Sequence, residues 1–253
     1  MNILFIHQNF PGQFKHLAPA LAGAGHNVVA LRISNNENAL WQGVKVIGYS
    51  LARVNASDGH PWAVDFESKI IRGEACLEAA IRLKQAGFIP DIILAHPGWG
   101  ESLFLNEVWP EAKLKLYCEF FYRVRGADVD FDPEFSSSDP AAAGRINLKN
   151  TNILFQFQQA AAGISPTHWQ ASTFPKHIRD KITVIHDGID TETLRPNLDA
   201  KFTVDSGLTL TRDDEVITFV NRSLEPYRGF HVFMRSLPKL LAARPNVQVL
   251  IVG

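Results

Sequence analysis

The sequence predicts an α/β protein built on a doubly wound parallel sheet. Two observations carry that expectation. Short apolar runs of strand length alternate with segments of helical period through the first 190 residues, as strand–helix–strand units require. Loops containing glycine or proline follow several of the strand runs, at the edge where such sheets bind ligands. A third observation, one more strand–helix–strand pattern over Glu215–Gly253, predicts a second domain of the same kind.

In chain order, Ile3–Ile6 is a strand, broken by His7 and Gln8. Asn9-Phe10-Pro11-Gly12 forms a turn, and Phe14, Leu17, Ala18 and Leu21 mark a helix that ends near Gly23 and Gly25. Pro19 lies inside that helix and is expected to kink it by removing a backbone hydrogen bond. Val28–Leu31 and Val44–Ile47 are the next strands, and residues 49–66 carry no clear period. Phe66 to Ala86 reads as a long helix whose apolar side is Ile70, Ile71, Ala75, Leu77, Ala80, Ile81 and Leu83. Pro90-Asp91 introduces the strand Ile92–Ala95, which the loop His96-Pro97-Gly98-Trp99-Gly100 follows.

Leu103, Leu105 and Val108 then suggest a short helix, and Leu114–Cys118 a strand. The stretch 119–139 is acidic and aromatic without a period, and Ala141 to Ala162 returns to helix. Gly163–Ser165 is a strand leading to a helix over Pro166 to Phe174. Ile182–Ile185 is the last strand of the first domain. The turn His186-Asp187-Gly188-Ile189-Asp190 leaves it, with glycine allowing a positive φ and the aspartates available to local amides. This places a first domain over 1–190, a connection over 191–214 and the start of a second domain over 215–253.

In that second part Val216–Val220 is a buried strand, and Arg222 and Arg228 occupy the loop that follows. Phe230, Phe233, Met234, Leu237, Leu240 and Leu241 recur at helical spacing and give one broad apolar face. Pro245 ends the helix, and Val247–Val252 is a second strand. Two cations ahead of a helix N-terminus make an anion site, because free backbone N–H groups and the helix dipole converge there. A diphosphate suits it; two solvated loop arginines are the plainer reading. One strand–helix–strand unit cannot cover both faces of a parallel sheet, so the second domain is expected to be truncated, and the chain to be an inactive fragment prone to self-association through its uncovered helix.

Composition excludes several classes. Hydrophobic residues make up 46% and charged residues 20%, ordinary for a packed domain, and the formal net charge of -1 offers no global basic field for nucleic acid. Two cysteines, Cys76 and Cys118, suggest neither a disulfide framework nor a zinc site and fit a reducing cytoplasm. No apolar run approaches the roughly 18 residues that a bilayer span requires, which leaves peripheral contact with a membrane's inner face compatible. The three spaced glycines of the dinucleotide fingerprint are absent from the first loop, which argues against a nicotinamide-binding domain.

The segment from Val216 resembles the opening of the second domain in family 4 (group 1) of the retaining GT-B glycosyltransferases: a strand, an Arg, a short loop, a Lys or Arg, a Gly and a helix. Asn221 stands where that family usually has Gly, and Arg228 where Lys is commoner, exchanging a point ammonium for a planar fork. HQNFPGQFKHLAPAL resembles the family's first strand–loop–helix. AHPGWGESLF, CEFFYRVRGADVDFDPEF, ISPTHWQASTFP and IHDGID resemble a bacterial branch of it. The resemblance implies two Rossmann-like domains of GT-B type. It implies transfer of a sugar from a nucleotide-sugar donor, with retention, to a glycan or lipid-linked acceptor in polysaccharide biosynthesis, without a catalytic metal or other cofactor. It further implies that Arg222 and Arg228 grip the donor diphosphate, and that Gly12 lets backbone amides approach donor phosphate or acceptor.

His96 and Glu119 end adjacent-looking strands at the expected cleft and are the candidate catalytic residues. His96 could bond a sugar hydroxyl or stabilise charge at the anomeric carbon, or merely cap the Gly98–Gly100 turn. Glu119 stands near where many relatives carry His. It could orient an acceptor hydroxyl or take its proton, or pair with Arg123 or Arg125. Asp128, Asp130 and Asp132 alternate, but Pro133 and Asp139 occupy the places where a calcium loop needs Gly and Glu, so 119–139 is expected to be an acceptor-side loop without metal. Trp99, Trp109 and Trp169 could stack on sugars, although core packing is commoner. Two other readings stay open: a sugar-nucleotide epimerase of similar shape, and a non-catalytic interaction module.

Overall fold

Strand β1 (Asn2–Ile6) is the centre of the molecule: Leu4, Phe5 and Ile6 are fully buried and Ile3 nearly so. In a computed structural model of the chain, which describes residues 1–35, 39–127, 129–136 and 139–253, β1 lies inside an eight-stranded sheet. Chain order continues with helix α1 (Leu17–Gly23), β2 (Asn27–Ile33), β3 (Ala39–Trp41), β4 (Val44–Tyr49), α2 (Val64–Gln85), β5 (Ile92–Ala95), α3 (Leu105–Val108) and β6 (Lys113–Tyr117). It is completed by α4 (Pro140–Lys149), α5 (Thr151–Gln159), β7 (Ala162–Ser165), α6 (His168–Thr173), α7 (Lys176–Arg179) and β8 (Ile182–Val184). The strand order is β3-β4-β2-β1-β5-β6-β7-β8. All neighbours are parallel except β3, which pairs antiparallel with β4.

Both faces of the sheet are covered, and the period of two along β1 assigns its residues to them. Ile3 and Phe5 pack with Phe10, Phe14, Ala18 and Val28 on the face of α1. Leu4 and Ile6 join Ala75, Cys76, Ala79, Leu83, Leu105, Ile153, Phe157 and Phe174 on the other. Each large side chain so buried contributes roughly 1.5–3 kcal/mol. This is the doubly wound parallel sheet that the alternating sequence pattern predicts.

Local differences have physical causes. Pro19 does not kink α1: the helix begins at Leu17, so Pro19 sits in the first turn, where an amide has no partner inside the helix. The expected start at Phe14 is a separate 3-10 turn, Gly12–Phe14. The face that α2 buries comprises Lys69, Ile71, Gly73, Ala75, Cys76, Ala79, Ala80 and Leu83, while Ile70 and Ile81 are exposed; small residues and a lysine that finds polar partners displace the bulkier aliphatics. The helix expected over 141–162 breaks at Asn150 into α4 and α5, because the Asn150 side chain is held by the Tyr122 backbone.

The chain forms two compact units, Met1–Val129 with Ser138–Gly188, and Asp130–Ser137 with Ile189–Gly253. The segment Asp130–Ser137, expected in the first domain, packs with the second unit. There Asp132 accepts from His231 at 3.0 Å, and both carboxylate oxygens of Glu134 accept from Arg235 at 2.6 Å. Asp132 also caps the Pro133–Phe135 turn through the Glu134 amide. Asp128, the first of the alternating aspartates, lies outside the described residues.

The second unit carries a hairpin of β9 (Phe202–Thr203) and β10 (Thr209–Leu210) in what the sequence reads as plain connection. It continues with β11 (Val216–Val220), α8 (Phe230–Ala243) and β12 (Gln248–Val252), β11 and β12 being parallel. Phe219 packs on Phe230 and Phe233 with ring centroids 5.5 and 4.9 Å away, while Met234 and Leu241 of the apolar stripe remain exposed.

One glycine in the first unit is held by a close approach. Gly100 has φ +98°, and a Cβ there would lie 2.4 Å from the Lys69 carbonyl oxygen. Positive φ costs a non-glycine residue about 1–3 kcal/mol and overpacking about as much again. Gly100→Ala is therefore expected to destabilise the protein by at least about 2 kcal/mol, seen as a lower urea midpoint with an unchanged m-value.

Candidate functional site

Three neighbouring parallel strands end together. Ile6 of β1 stands opposite Ala95 of β5, and Ala95 opposite Leu116 of β6. The next residues on the first two strands are His7 and His96, and Glu119 follows β6 by two. Their rings and carboxylate meet at the carboxyl edge of the sheet. The His7 and His96 centroids are 5.6 Å apart, and His96 Nε2 lies 2.9 Å from Glu119 Oε2.

The hydrogen bonds assign the tautomers. His96 Nδ1 accepts from the Gly98 amide at 3.1 Å, and His7 Nδ1 accepts from the Asn9 amide at 3.0 Å. Each ring therefore carries its proton on Nε2 when neutral. His96 Nε2–H donates to Glu119, and His7 Nε2–H donates to Gln13 Oε1 at 2.7 Å. Gln13 in turn donates to the same Glu119 oxygen at 3.4 Å. Two histidines thus converge on one carboxylate, one directly and one through an amide.

The electrostatics follow. Burial and the neighbouring His96 push the His7 pKa down to about 4, against weaker upward pulls from Gln13 and Glu119. Glu119 is held below the usual carboxylate range, first by the His96 hydrogen bond, with burial opposing. At neutral pH the site holds a neutral His7 and an ionised, half-exposed Glu119.

A second layer fixes the loops. Asn152 and Gln156 of α5 donate to the Pro97 carbonyl at 2.6 and 3.0 Å, and Ser102 bonds Gln156. The Asn150 side chain clamps the Tyr122 backbone at both N–H and C=O, at 2.9 and 2.8 Å. Thr173 Oγ1 accepts from the Phe121 amide. Trp99 stacks on His96 with centroids 4.1 Å apart and also lines the cleft described below. Trp109 is core, and Trp169 is exposed beside Phe120.

The structure brings His96 and Glu119 together: His96 caps the Gly98 turn, as its plainer reading expects, and also bonds Glu119. The Arg123–Glu119 pair does not form: Arg123 donates to the Ser172 and Thr173 carbonyls at the end of α6. Gly12 has φ +46°, and a Cβ there would lie 2.4 Å from the His7 ring; the glycine makes room for an imidazole. Asp187, expected to serve local amides, accepts from the Tyr117 hydroxyl at 2.8 and 2.9 Å, whereas Asp190 does cap the amides of Glu192 and Thr193. Sequence reasoning passed over His7 and Gln13. The signal was present, since His7 ends its strand just as His96 ends its own. A cleft of about 320 Å³ opens beside the pair, lined on one side by α2 and on the others by the loops after β5 and β6 and by Lys149.

In the second unit, Arg222 is exposed in the loop after β11. Arg228 ends the 3-10 turn Pro226–Arg228, with Gly229 at φ +78° as the N-cap of α8. Arg228 lies 3.4 Å from Glu225 and stacks over the Tyr227 ring at 5.2 Å. Among the described residues no group of three His, Cys, Asp or Glu could hold a metal ion, and no helix is long and apolar enough to cross a membrane.

Parallel sheet, strand order and carboxyl-edge site together define the GT-B class of glycosyltransferase folds. Residues 24–194 match the model of the Glycosyl transferase family 4 group, more than half of the chain, and the chain belongs to that family. Among solved structures it is similar to the catalytic domain of starch synthase IV from Arabidopsis thaliana bound to ADP and acarbose. That similarity has 16% identity and a TM-score of 0.59 over 100% of this chain and 68% of that one. It is also similar to α,α-trehalose 6-phosphate synthase from Burkholderia multivorans, with 11% identity and a TM-score of 0.54 over 99% of this chain and 62% of that one. The UDP-GlcNAc 2-epimerase from Neisseria meningitidis bound to UDP-GlcNAc is similar at 12% identity and a TM-score of 0.50, over 99% of this chain and 65% of that one. At these identities the likeness is one of fold. Comparison with curated proteins gave no match.

The depressed His7 pKa has a consequence for stability. Between pH 6.5 and about 4 the unfolded chain protonates this ring and the folded protein does not, so stability falls as pH falls through that window. Glu119 adds in the same direction: its contribution is present above its unfolded value of 4.5 and is lost as pH drops through its lower folded value. Urea unfolding at pH 7 and pH 4.5 is expected to show His7→Gln losing about 2–3 kcal/mol less than the parent across the interval.

Proposed function

We propose that the protein moves a sugar from a nucleotide-sugar donor to a hydroxyl of a glycan or lipid-linked acceptor, with retention of anomeric configuration. Membership of the glycosyltransferase family supports sugar transfer, and the observation that carries the site assignment is the convergence of His96 and Gln13 on one oxygen of Glu119. With Oε2 so engaged, Oε1 is available to accept a hydrogen bond from the acceptor hydroxyl. A carboxylate with a lowered pKa is a weak base, so Glu119 orients and polarises the hydroxyl. The departing diphosphate, as the stronger assistant, receives the proton as the C1–O bond to the donor breaks and the acceptor oxygen takes its place. His96 holds Glu119 in position through the hydrogen bond from Nε2.

Arg222 and Arg228 are proposed to take the donor diphosphate, at a helix start whose free amides favour an anion. Two guanidinium groups neutralise charge that would otherwise call for a divalent cation, so no metal or other cofactor is assigned. Gly12 is proposed to act on the donor side through the His7 ring it accommodates. The reaction is proposed to run in the cytoplasm, at or near the membrane's inner face when the acceptor is lipid-linked. An epimerase reading has only the fold similarity in its favour, whereas the Arg222–Arg228 spacing favours transfer.

A panel of nucleotide sugars and acceptors, followed by NMR of the product's anomeric centre, tests the reading; an inverted product or absence of turnover with every donor overturns it. Arg228→Ala is expected to weaken donor binding at least about tenfold, since a charge-assisted contact contributes roughly 1.5–3 kcal/mol; unchanged titration curves would contradict the assignment. Glu119→Gln is expected to lower kcat by at least about tenfold with little change in donor KM.

A further inference from the structure

The cleft beside the His96–Glu119 pair carries more positive charge than its carboxylates balance. Asp65, Ser68, Lys69 and Arg72 fall at helical spacing on one stripe of α2 and line it. Lys149, at the end of α4, lines it from across. Three cations therefore face two carboxylates, and both carboxylates are engaged: Asp65 accepts from Lys69 at 2.6 Å, and Glu119 from His96. Lys69 is buried to 7% exposure, its Nζ also donating to the Lys149 carbonyl at 3.1 Å.

Arg72 and Lys149 have no carboxylate partner within salt-bridge distance among the described residues. Arg72 spends one amino group on the Ser68 carbonyl, and its Nε is buried without an acceptor. Lys149 sits over the Tyr122 ring at 4.9 Å, a weak partner for an ammonium. Glu101 feels the Arg72 charge, but burial pushes its carboxyl up, to about 7, and it does not line the cleft. Low-dielectric walls focus such an imbalance on whatever enters.

We infer that this cleft takes a sugar bearing an anionic substituent, a carboxylate or a phosphate, with Arg72 and Lys149 as its binding cations and the Tyr122 ring beside it. Sugar transfer makes that ligand the acceptor, so the inference rests on the reading above for the ligand's role but not for its charge. Arg72 suits a planar, bidentate oxyanion, and the Lys149 ammonium adds a second charge.

Galactose, galacturonate and galactose 6-phosphate share one ring and differ only at C6. Calorimetric titration of the whole chain at 100 mM salt is expected to give at least tenfold tighter binding of one or both acids than of galactose. The tighter of the two acids identifies carboxylate or phosphate as the source. Arg72→Gln and Lys149→Gln should each weaken the acid at least fivefold and leave nucleotide-sugar binding unchanged. Lys149→Gln is the safer of the two, being half-buried at a helix end, and equal thermal midpoints establish that the variant is folded. Galactose binding as tightly as both acids, none of the three binding, or folded variants that retain parental affinity would overturn the inference. Acid binding without turnover of any nucleotide sugar would instead sink the transferase reading and leave the anion subsite standing.

Discussion

The in-register parallel pairing of β1, β5 and β6 is the constraint on which the site depends. Parallel strands bring their carboxyl ends to one edge, and the register sets Ile6, Ala95 and Leu116 in one row. Once that row exists, His7, His96 and Glu119 have little choice of neighbour. The core serves this alignment: Phe5 with Phe14 on one face and Ile6 with the α2 and α5 side chains on the other hold β1 at fixed height. A slip of β1 by one residue would send the His7 imidazole to the opposite face, away from His96 and Glu119.

The charge logic is equally economical. A backbone amide two residues downstream sets each histidine's tautomer, and both protonated nitrogens then point, directly or through Gln13, at one carboxylate oxygen. The lowered His7 pKa keeps that ring uncharged at neutral pH, so it supports Glu119 through Gln13 without adding a positive charge to the site. The cost is a buried ring that resists protonation, which ties the integrity of the site to pH.

The fold was legible because its signals are local: alternating apolar runs, the Pro90-Asp91 entry into β5 and the glycine after β8. His96 and Glu119 were legible because each follows a strand end. His7 follows one too, yet with Gln8 beside it the pair reads as a strand breaker. What stayed hidden depends on distant pairing. Asn150, Asn152 and Gln156 look like ordinary helix polars until the Tyr122 and Pro97 backbones arrive. Gly12 looks like a phosphate-loop glycine until the His7 ring fills its place. Lys69 of α2 is buried because Asp65 and the Lys149 carbonyl satisfy it, partners that no local pattern announces.

The docking of Asp130–Ser137 on α8 bears on how this protein can be dissected. The two units are interleaved along the chain, and a single cut near residue 190 does not separate them. A chimera that exchanges the later segment alone would strip Asp132 and Glu134 of His231 and Arg235, leaving an acidic turn facing whatever side chains the donor sequence supplies. Modular exchange must therefore move two stretches of sequence together, and any covariation between them would record a shared interface instead of a shared reaction.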